Sequence, residues 1–359
     1  MTGTTRRALI AAAALGALLT TGACNVDSGG TTPSGAASSD PSGGTAGTAK
    51  ALKVGWSTIY LAPSWMQQTL KMLEEDVARL KGEGKVASYE TFNANGDTSQ
   101  QIAQIQAMIQ QKYDVILVDA GSSTALNPVL EQAVAQGITV ANFDSLVTSD
   151  KVIRVGTDQV EWGKMTAQWL ADKLGGKGEI IAMNGPAGVA VSEERWKGAE
   201  EVFKKYPDIK ISANVHSEYN LAPAAQAFAS AYSAHPNITG VFSQGGALSA
   251  AALQTLVKQD KKLVPITGEN YNGFLKMWAD KRKEGFSSLS TAQPNYLSVI
   301  ALEAAVAKIG GTAVPMDITV PLPKITDDNL DQYAKQDQPD DSYPIQPIPQ
   351  SEIDKLIGK

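Results

Sequence analysis

The sequence predicts an α/β protein built as two similar, doubly wound parallel-sheet lobes. Three observations carry this. Short apolar runs of β character alternate with amphipathic helical segments, the alternation runs once and then begins again, and about 310 residues of body suffice for two lobes. In the first set, residues 54–57 form an apolar strand, followed by a break around Pro63. A helix follows over about 64–80, with Met66, Leu70, Leu73, Val77 and Leu80 spaced four, three, four and three apart. Residues 83–85 close it, and 86–92 read as the next strand. Asp97 or Thr98 caps a helix that carries Ile102, Ile105 and Ile109 on one face. Residues 115–118 are continuously apolar, as in a strand covered on both faces. A helix from about Thr124 ends at Gly137, a good C-terminal glycine, and 138–142 make another strand. Such βαβαβα alternation gives a parallel sheet.

The second set repeats the pattern. Strands are expected at 179–183, 209–215, 241–243 and 263–267, with helices at 192–206, about 223–234, and 248–259 between them. A strand at 287–291 and a helix at about 296–309 follow. From Pro315 onward the chain is rich in Pro and Asp with little periodicity, which predicts extended segments on the surface.

The N-terminus reads as a targeting segment. Arg6 and Arg7 precede an apolar run over 8–20, and Thr21-Gly22-Ala23 lead to Cys24, the only cysteine. The run is too short to span a membrane, which takes about 20 apolar residues. A cysteine at the cleavage point resembles a bacterial lipobox, so Cys24 is the expected lipidation site and residues 1–23 the signal peptide. From 25 to 50, 21 of 26 residues are Gly, Ser, Thr, Ala or Pro. Residues 24–50 are therefore read as a flexible linker, reaching roughly 25–30 Å root-mean-square. No cysteine remains for disulfides, so the body relies on its apolar core.

Several chemistries lack their residues. A net charge of −6 with mixed signs offers no basic face for nucleic acid. Neither a Walker A loop nor a Gly-x-Gly-x-x-Gly after a strand occurs. His216 and His235 stand nineteen residues apart without cysteine partners, which argues against zinc. Gly246-Ala247-Leu248-Ser249-Ala250 lacks the last glycine of a nucleophile elbow. The expectation is a protein without cofactor or metal that is not an enzyme.

Ligands of doubly wound sheets bind beyond the carboxyl ends of the strands. There the first set places Tyr60, Ser64, Trp65, Asp119, Asn142 and Asp144. The second set places Asn184, Glu218, Tyr219, Asn220, the 244–246 loop and the 269–271 loop, with Arg195 in the first turn of a helix and Gln293 past the last strand. Aromatic rings cover the C–H faces of a sugar or polyol, and carboxylates and amides satisfy its hydroxyls. A missing hydroxyl would leave a buried polar group unpaired, which gives discrimination.

At these positions residues 52–325 resemble the periplasmic sugar-binding proteins of the ribose-binding type, which serve ABC importers. The carriers of the resemblance are Ser57-Thr58 with Pro63-Ser64-Trp65, Val118-Asp119, Asn142-Phe143-Asp144, Arg195-x-x-Gly198, Tyr219, Val241-Phe242-Ser243-Gln244, Gly268-Glu269-Asn270 and Gln293. The resemblance implies an N-terminal lobe of 51–154 plus 293–314, a C-terminal lobe of 156–289, and a C-terminal segment of 315–359 that includes a hinge crossing. Crossings are expected near 155–157, 290–292 and 314–320, with a ligand cleft between the lobes. It implies ligand contacts from Tyr60, Ser64, Trp65, Asp119, Asp144, Arg195, Tyr219, Gly245, Asn270 and Gln293. Trp65 and Tyr219 would stack on the sugar, and Asp144 and Arg195 would accept and donate hydrogen bonds. The implied partners are an ABC permease and ATPase complex, and the implied state is a monomer held outside the cytoplasm by its lipid anchor.

Departures from the family pattern bear on the ligand. Ala62 stands where Asn is frequent, Ser145 where Arg often follows the Asp, Gly245-Gly246 where Asn-Asp is usual, and Asn270 where Asp is usual. A ligand larger or less hydroxylated than a pentose fits that loss, as does one held by Tyr60, Glu269 and Trp278; ribose itself does not. The same fold serves ligand-sensing receptor components, and the same transport role can take a nucleoside or a signalling furanosyl compound. Asp144→Ala is expected to abolish binding and leave the fold intact, and unchanged affinity by calorimetry would remove Asp144 from the site.

Overall fold

A computed structural model describes residues 50–359. The expected signal segment, Cys24 and all but the last residue of the linker lie outside the described residues. In the first half the chain forms β1 (Leu52–Thr58), α1 (Ser64–Gly82), β2 (Val86–Asn93), α2 (Thr98–Gln110), β3 (Val115–Asp119), α3 (Asn127–Ala135), β4 (Thr139–Phe143) and β5 (Ile153–Gly156). Next come α4 (Gln159–Lys173), β6 (Gly178–Asn184), α5 (Ala190–Phe203), β7 (Ile209–His216) and α6 (Leu221–Ala234). These lead to β8 (Gly240–Ser243), α7 (Gly246–Lys258), β9 (Ile266–Glu269), α8 (Asn272–Lys281) and β10 (Ser288–Thr291). Last are α9 (Leu297–Ile309), β11 (Asp317–Thr319), α10 (Leu330–Tyr333) and α11 (Gln350–Leu356).

Two sheets result, each parallel throughout. One runs β2-β1-β3-β4-β5-β11 and the other β7-β6-β8-β9-β10. Each begins with its second strand outside its first, so both have a switch point at the same place in the sheet. Helices cover both faces, which is why β3 is buried along its whole length. One face of the first sheet packs on residues of α1, α9 and α11, including Leu73, Ile300 and Ile353, and its other face on α2 and α3 through Ile105 and Leu130. The second sheet is enclosed likewise, by α6, α7 and α8 on one side and α4 and α5 on the other. This is the pair of doubly wound lobes that the alternation of elements predicts.

Local chemistry explains the boundaries. The Asp97 carboxylate accepts from the backbone N–H groups of Ser99 (2.7 Å) and Gln100 (3.2 Å), capping α2. Helix α3 begins at Asn127 rather than near 124, with Pro128 in its first turn, where a missing N–H costs nothing. Gly137, at φ +84°, takes the left-handed turn that ends it.

Apolar periodicity does not mark helix α4, because small and polar residues dilute its apolar stripe. Its buried face includes Gly163, Thr166 and Ala167. That smallness lets α5 approach closely. A Cβ on Gly163 would overlap the Arg195 carbonyl, and one on Gly198 would overlap the Val160 carbonyl. The two glycines thus set the height of α5 above α4, and with it the position of Arg195.

Within the described residues the chain passes between the lobes four times. It crosses after β5 and after β10, and again after β11. There Asp317–Thr319 first pair with Arg154–Gly156 before Ile325 bridges to Ser290. The third crossing therefore lies at 320–325, beyond the 314–320 stretch, which belongs to the first sheet. The C-terminal segment is also less extended than its composition suggests. It lays Leu330 and Tyr333 into the core of the second lobe, then returns to bury Ile353 and Ile357 in the first. Gly198→Ala is expected to cost about 1–3 kcal/mol by overpacking the α4–α5 contact. Chemical denaturation would measure it, and an unchanged midpoint would mean that the helices can separate freely.

Candidate ligand-binding site

The carboxyl ends of both sheets face a cavity of about 160 Å³. Tyr60, Trp65, Asp119 and Asp144 line it from the first lobe, Arg195 and Tyr219 from the second, and Gln293 from the second crossing. Tyr60 is 43% exposed and stands at the rim, whereas Asp119, Arg195 and Gln293 are buried.

Asp144 follows β4 directly and has φ +62°, the left-handed region that Asp tolerates better than most residues. Asn142 fixes this turn. Its Nδ2 donates to the carbonyls of Val118 and Ser145, both at 3.0 Å, and its Oδ1 accepts from the Val147 N–H at 2.7 Å. Asn142 thus shapes the loop rather than facing the cavity.

Gln293 then joins the lobes. Its Nε2 donates to Asp144 Oδ1 at 2.6 Å. Its Oε1 accepts from Thr157 Oγ1 at 2.6 Å and from Gln159 Nε2 at 3.0 Å. Gln159 Oε1 in turn accepts from Arg195 Nε at 2.7 Å. A continuous relay therefore runs from Asp144 through both hinge segments to Arg195. The Trp65 Nε1–H donates to the Gln293 carbonyl at 2.9 Å, which ties the first turn of α1 to the same point.

Arg195 is held on every side. Its Nη1 donates to the Gln244 carbonyl at 2.6 Å, the guanidinium lies 4.5 Å over the Trp162 ring, and Nη2 is 3.5 Å from Glu269 Oε1. Glu269 also accepts from the Gly246 N–H at 3.2 Å, at the N-terminus of α7, where a negative charge is favoured. Tyr219 sits between two glycines. A Cβ on Gly185 would overlap its hydroxyl, and one on Gly245 would come within 2.7 Å of its ring.

Among the described residues, three carboxyl groups thus share the cavity with one guanidinium. Burial pushes Asp119 well above the usual carboxylate range, and the charge of Asp144 pushes it further. Burial also raises Asp144, against the opposing pull of Gln293 and Arg195, and raises Glu269 against that of Arg195. The Tyr219 hydroxyl is pushed up to about 12, chiefly by burial.

Three expected residues do not line the cavity. Ser64 opens α1 and places its hydroxyl against the Tyr343 phenol, and Gly245 is the seat of Tyr219. Asn270 turns away and donates through Nδ2 to the Pro344 carbonyl at 2.9 Å. Trp278, offered as an alternative contact, is buried in the second lobe's core, with its Nε1–H on Asp327 Oδ1 at 2.8 Å. Glu269, the other alternative, does line the cavity. Pro186, Val189, Val191 and Tyr343, which stand outside the expected set, also line it. The first three lie in and beside the Gly185-Pro186-Ala187-Gly188-Val189 loop, which has no polar side chain to mark a hydroxyl-binding residue, and Tyr343 lies in the aperiodic tail, so neither periodicity nor strand-end polarity points to them.

The raised Asp144 carboxyl has a thermodynamic consequence. The folded protein holds this proton more tightly than the unfolded chain does, so stability falls as pH rises from the ordinary value of 3.8 toward the raised one. Asp144→Asn keeps an acceptor for Gln293 and removes the buried charge. It is expected to raise the unfolding temperature of the ligand-free protein at neutral pH, with the gain shrinking as pH falls toward 3.8. Scanning calorimetry over a buffer series would show it, and a pH-independent difference would refute it.

Residues 54–313 match the family described as periplasmic binding protein domain. The chain is similar to the xylitol-binding protein of Mycolicibacterium smegmatis, at 32% identity over 241 residues that span 67% of this chain and 68% of that one. It is also similar to the ribose import binding protein RbsB of Bacillus subtilis, at 25% identity over 231 residues, covering 64% of this chain and 74% of the other. Among solved structures, an ABC transporter solute binding protein from Thermobispora bispora superposes with a TM-score of 0.78 at 25% identity, covering 85% of this chain and 94% of that one. With paired parallel-sheet lobes meeting at the carboxyl ends of their strands, and a match over most of its length, the chain belongs to the periplasmic binding protein domain family.

Proposed function

We propose that this chain is the substrate-binding lipoprotein of an ABC importer, and that it captures a neutral sugar or polyol between its lobes. The relay from Asp144 through Gln293 and Gln159 to Arg195 carries this reading most directly, because it links polar groups of both lobes through the hinge. Trp65 and Tyr219 supply ring faces for C–H surfaces, and Asp144, Glu269 and Arg195 supply acceptors and donors for hydroxyls. The charge balance disfavours an acidic ligand, since three buried carboxyls already outnumber the single guanidinium. Pro186, Val189 and Val191 form an apolar wall suited to a face without hydroxyls.

The mechanism is a shift of population. A ligand that contacts both lobes only when they close favours the closed state by its difference in affinity. Asp144 and Arg195 belong to opposite lobes, so a hydroxylated guest that bridges them supplies that difference. A permease that engages both lobes then reads their closure. Cys24 would be the lipid attachment and residues 25–50 the leash that holds a monomeric body near the membrane. The relatives that bind xylitol and ribose support the ligand class.

Thermal-shift screening against neutral monosaccharides, polyols, sugar acids and nucleosides tests the assignment. A neutral polyhydroxy compound at one hundred times its Kd should stabilise the protein by about 2.7 kcal/mol, with sugar acids giving no shift. Stabilisation by nucleosides alone, or by sugar acids, would overturn the proposed ligand.

A further inference from the structure

The matched domain ends at residue 313, yet a residue thirty positions later lines the cavity. Tyr343 is carried by the segment between α10 and α11, and that segment is fastened to both lobes. On the second lobe, the Asn272 N–H donates to the Ser342 carbonyl at 2.9 Å and the Gly273 N–H to the Asp340 carbonyl at 2.8 Å. The Asn272 side chain adds Nδ2 bonds to the carbonyls of Lys335 (2.8 Å), Gln338 (3.1 Å) and Pro339 (3.0 Å). Asn270 holds the far side through the Pro344 carbonyl at 2.9 Å.

On the first lobe, one side chain does the work. Gln68 of α1 accepts from the Tyr343 N–H at 2.9 Å and donates to the Tyr343 carbonyl at 2.8 Å. With both main-chain groups clamped by one amide and its neighbours clamped by the 270–273 loop, Tyr343 has little freedom. Its ring is 3% exposed, meets Tyr271 edge-on at 5.5 Å, and shares the cavity lining with Tyr219 and Glu269. Burial and the nearby Glu269 charge push its phenol up, against the Ser64 hydroxyl beside it, which places the phenol oxygen among the polar groups at the cavity.

We propose that Tyr343 contacts the ligand and determines specificity, delivered by a strap that Gln68 and the 270–273 loop latch to opposite lobes. The inference rests on the reading of the cavity as a sugar or polyol site, and it names the residue that limits ligand size there. The ring closes the cavity, so truncating it enlarges the site. The strap spans the lobes, so hinged opening has to break one latch or the other.

The test uses the full-length protein in detergent, unmodified and as Tyr343→Ala, Tyr343→Phe and Gln68→Ala, with xylitol, D-allose and sucrose as probes in calorimetry. Hydrogen exchange is followed without ligand. Tyr343→Ala is expected to weaken the tightest of the three by about tenfold or more and to reduce the preference for small over large probes. Tyr343→Phe should keep that size preference while weakening binding. Gln68→Ala should speed exchange of residues 340–344. Unchanged affinities and ratios in Tyr343→Ala, or unchanged exchange in Gln68→Ala, would overturn the proposal. If the unmodified chain binds none of the probes while nucleosides or acids stabilise it, the ligand reading fails instead. The exchange result then decides the strap by itself, which stands if 340–344 loosen and falls if they do not.

Discussion

The arrangement depends on one amide. Gln293 presents its Nε2–H to Asp144 and its oxygen to Thr157 and Gln159, so a single side chain at the second crossing touches the first crossing and both halves of the cleft. An amide suits this place because it donates and accepts at once without charge. A carboxylate there would face Asp144, and an ammonium, which only donates, could accept neither the Thr157 O–H nor the Gln159 N–H. The relay also explains why a cavity with excess negative charge persists. Asp144 and Arg195 are joined through neutral amides rather than collapsed onto each other, which leaves polar capacity facing the cavity.

Positioning of Arg195 shows how packing serves the site. The guanidinium is fixed by Gln159, the Gln244 carbonyl and the Trp162 ring, but those contacts form only because α5 lies close on α4. Gly163 and Gly198 permit that approach. Conformational entropy is costly for a side chain as long as Arg, and here it is lost in folding rather than in binding. The burial that raises Asp119, Asp144 and Glu269 is the opposing cost, a destabilisation placed at the site itself.

Much of this was legible in the residues. Spacings of three and four mark α1, the continuous apolar run marks β3, and strand-end positions bring Tyr60, Trp65, Asp119, Asp144, Tyr219 and Gln293 to one cavity, where they meet Arg195, expected in the first turn of its helix and found in the second turn of α5. What escaped has physical reasons. Helix α4 packs through glycine, threonine and alanine, so apolar periodicity is weak where helix–helix contact is closest. Gly245 and Asn270 stand at strand ends like true lining residues but serve their neighbours, one giving room to a ring and the other a hydrogen bond to the tail. Tyr343 belongs to a segment whose place is set by hydrogen bonds to its own backbone, and such bonds leave no pattern in side-chain polarity.

The route of the tail bears on how the molecule is completed. Ile353 and Ile357 belong to the same core as Trp56 and Leu73, so α11 completes the lobe that β1 begins. Without those two side chains that lobe would keep an unfilled groove beside α1 and α9. That core joins residues about 300 positions apart, and contacts of such high sequence separation are the kind that form slowly.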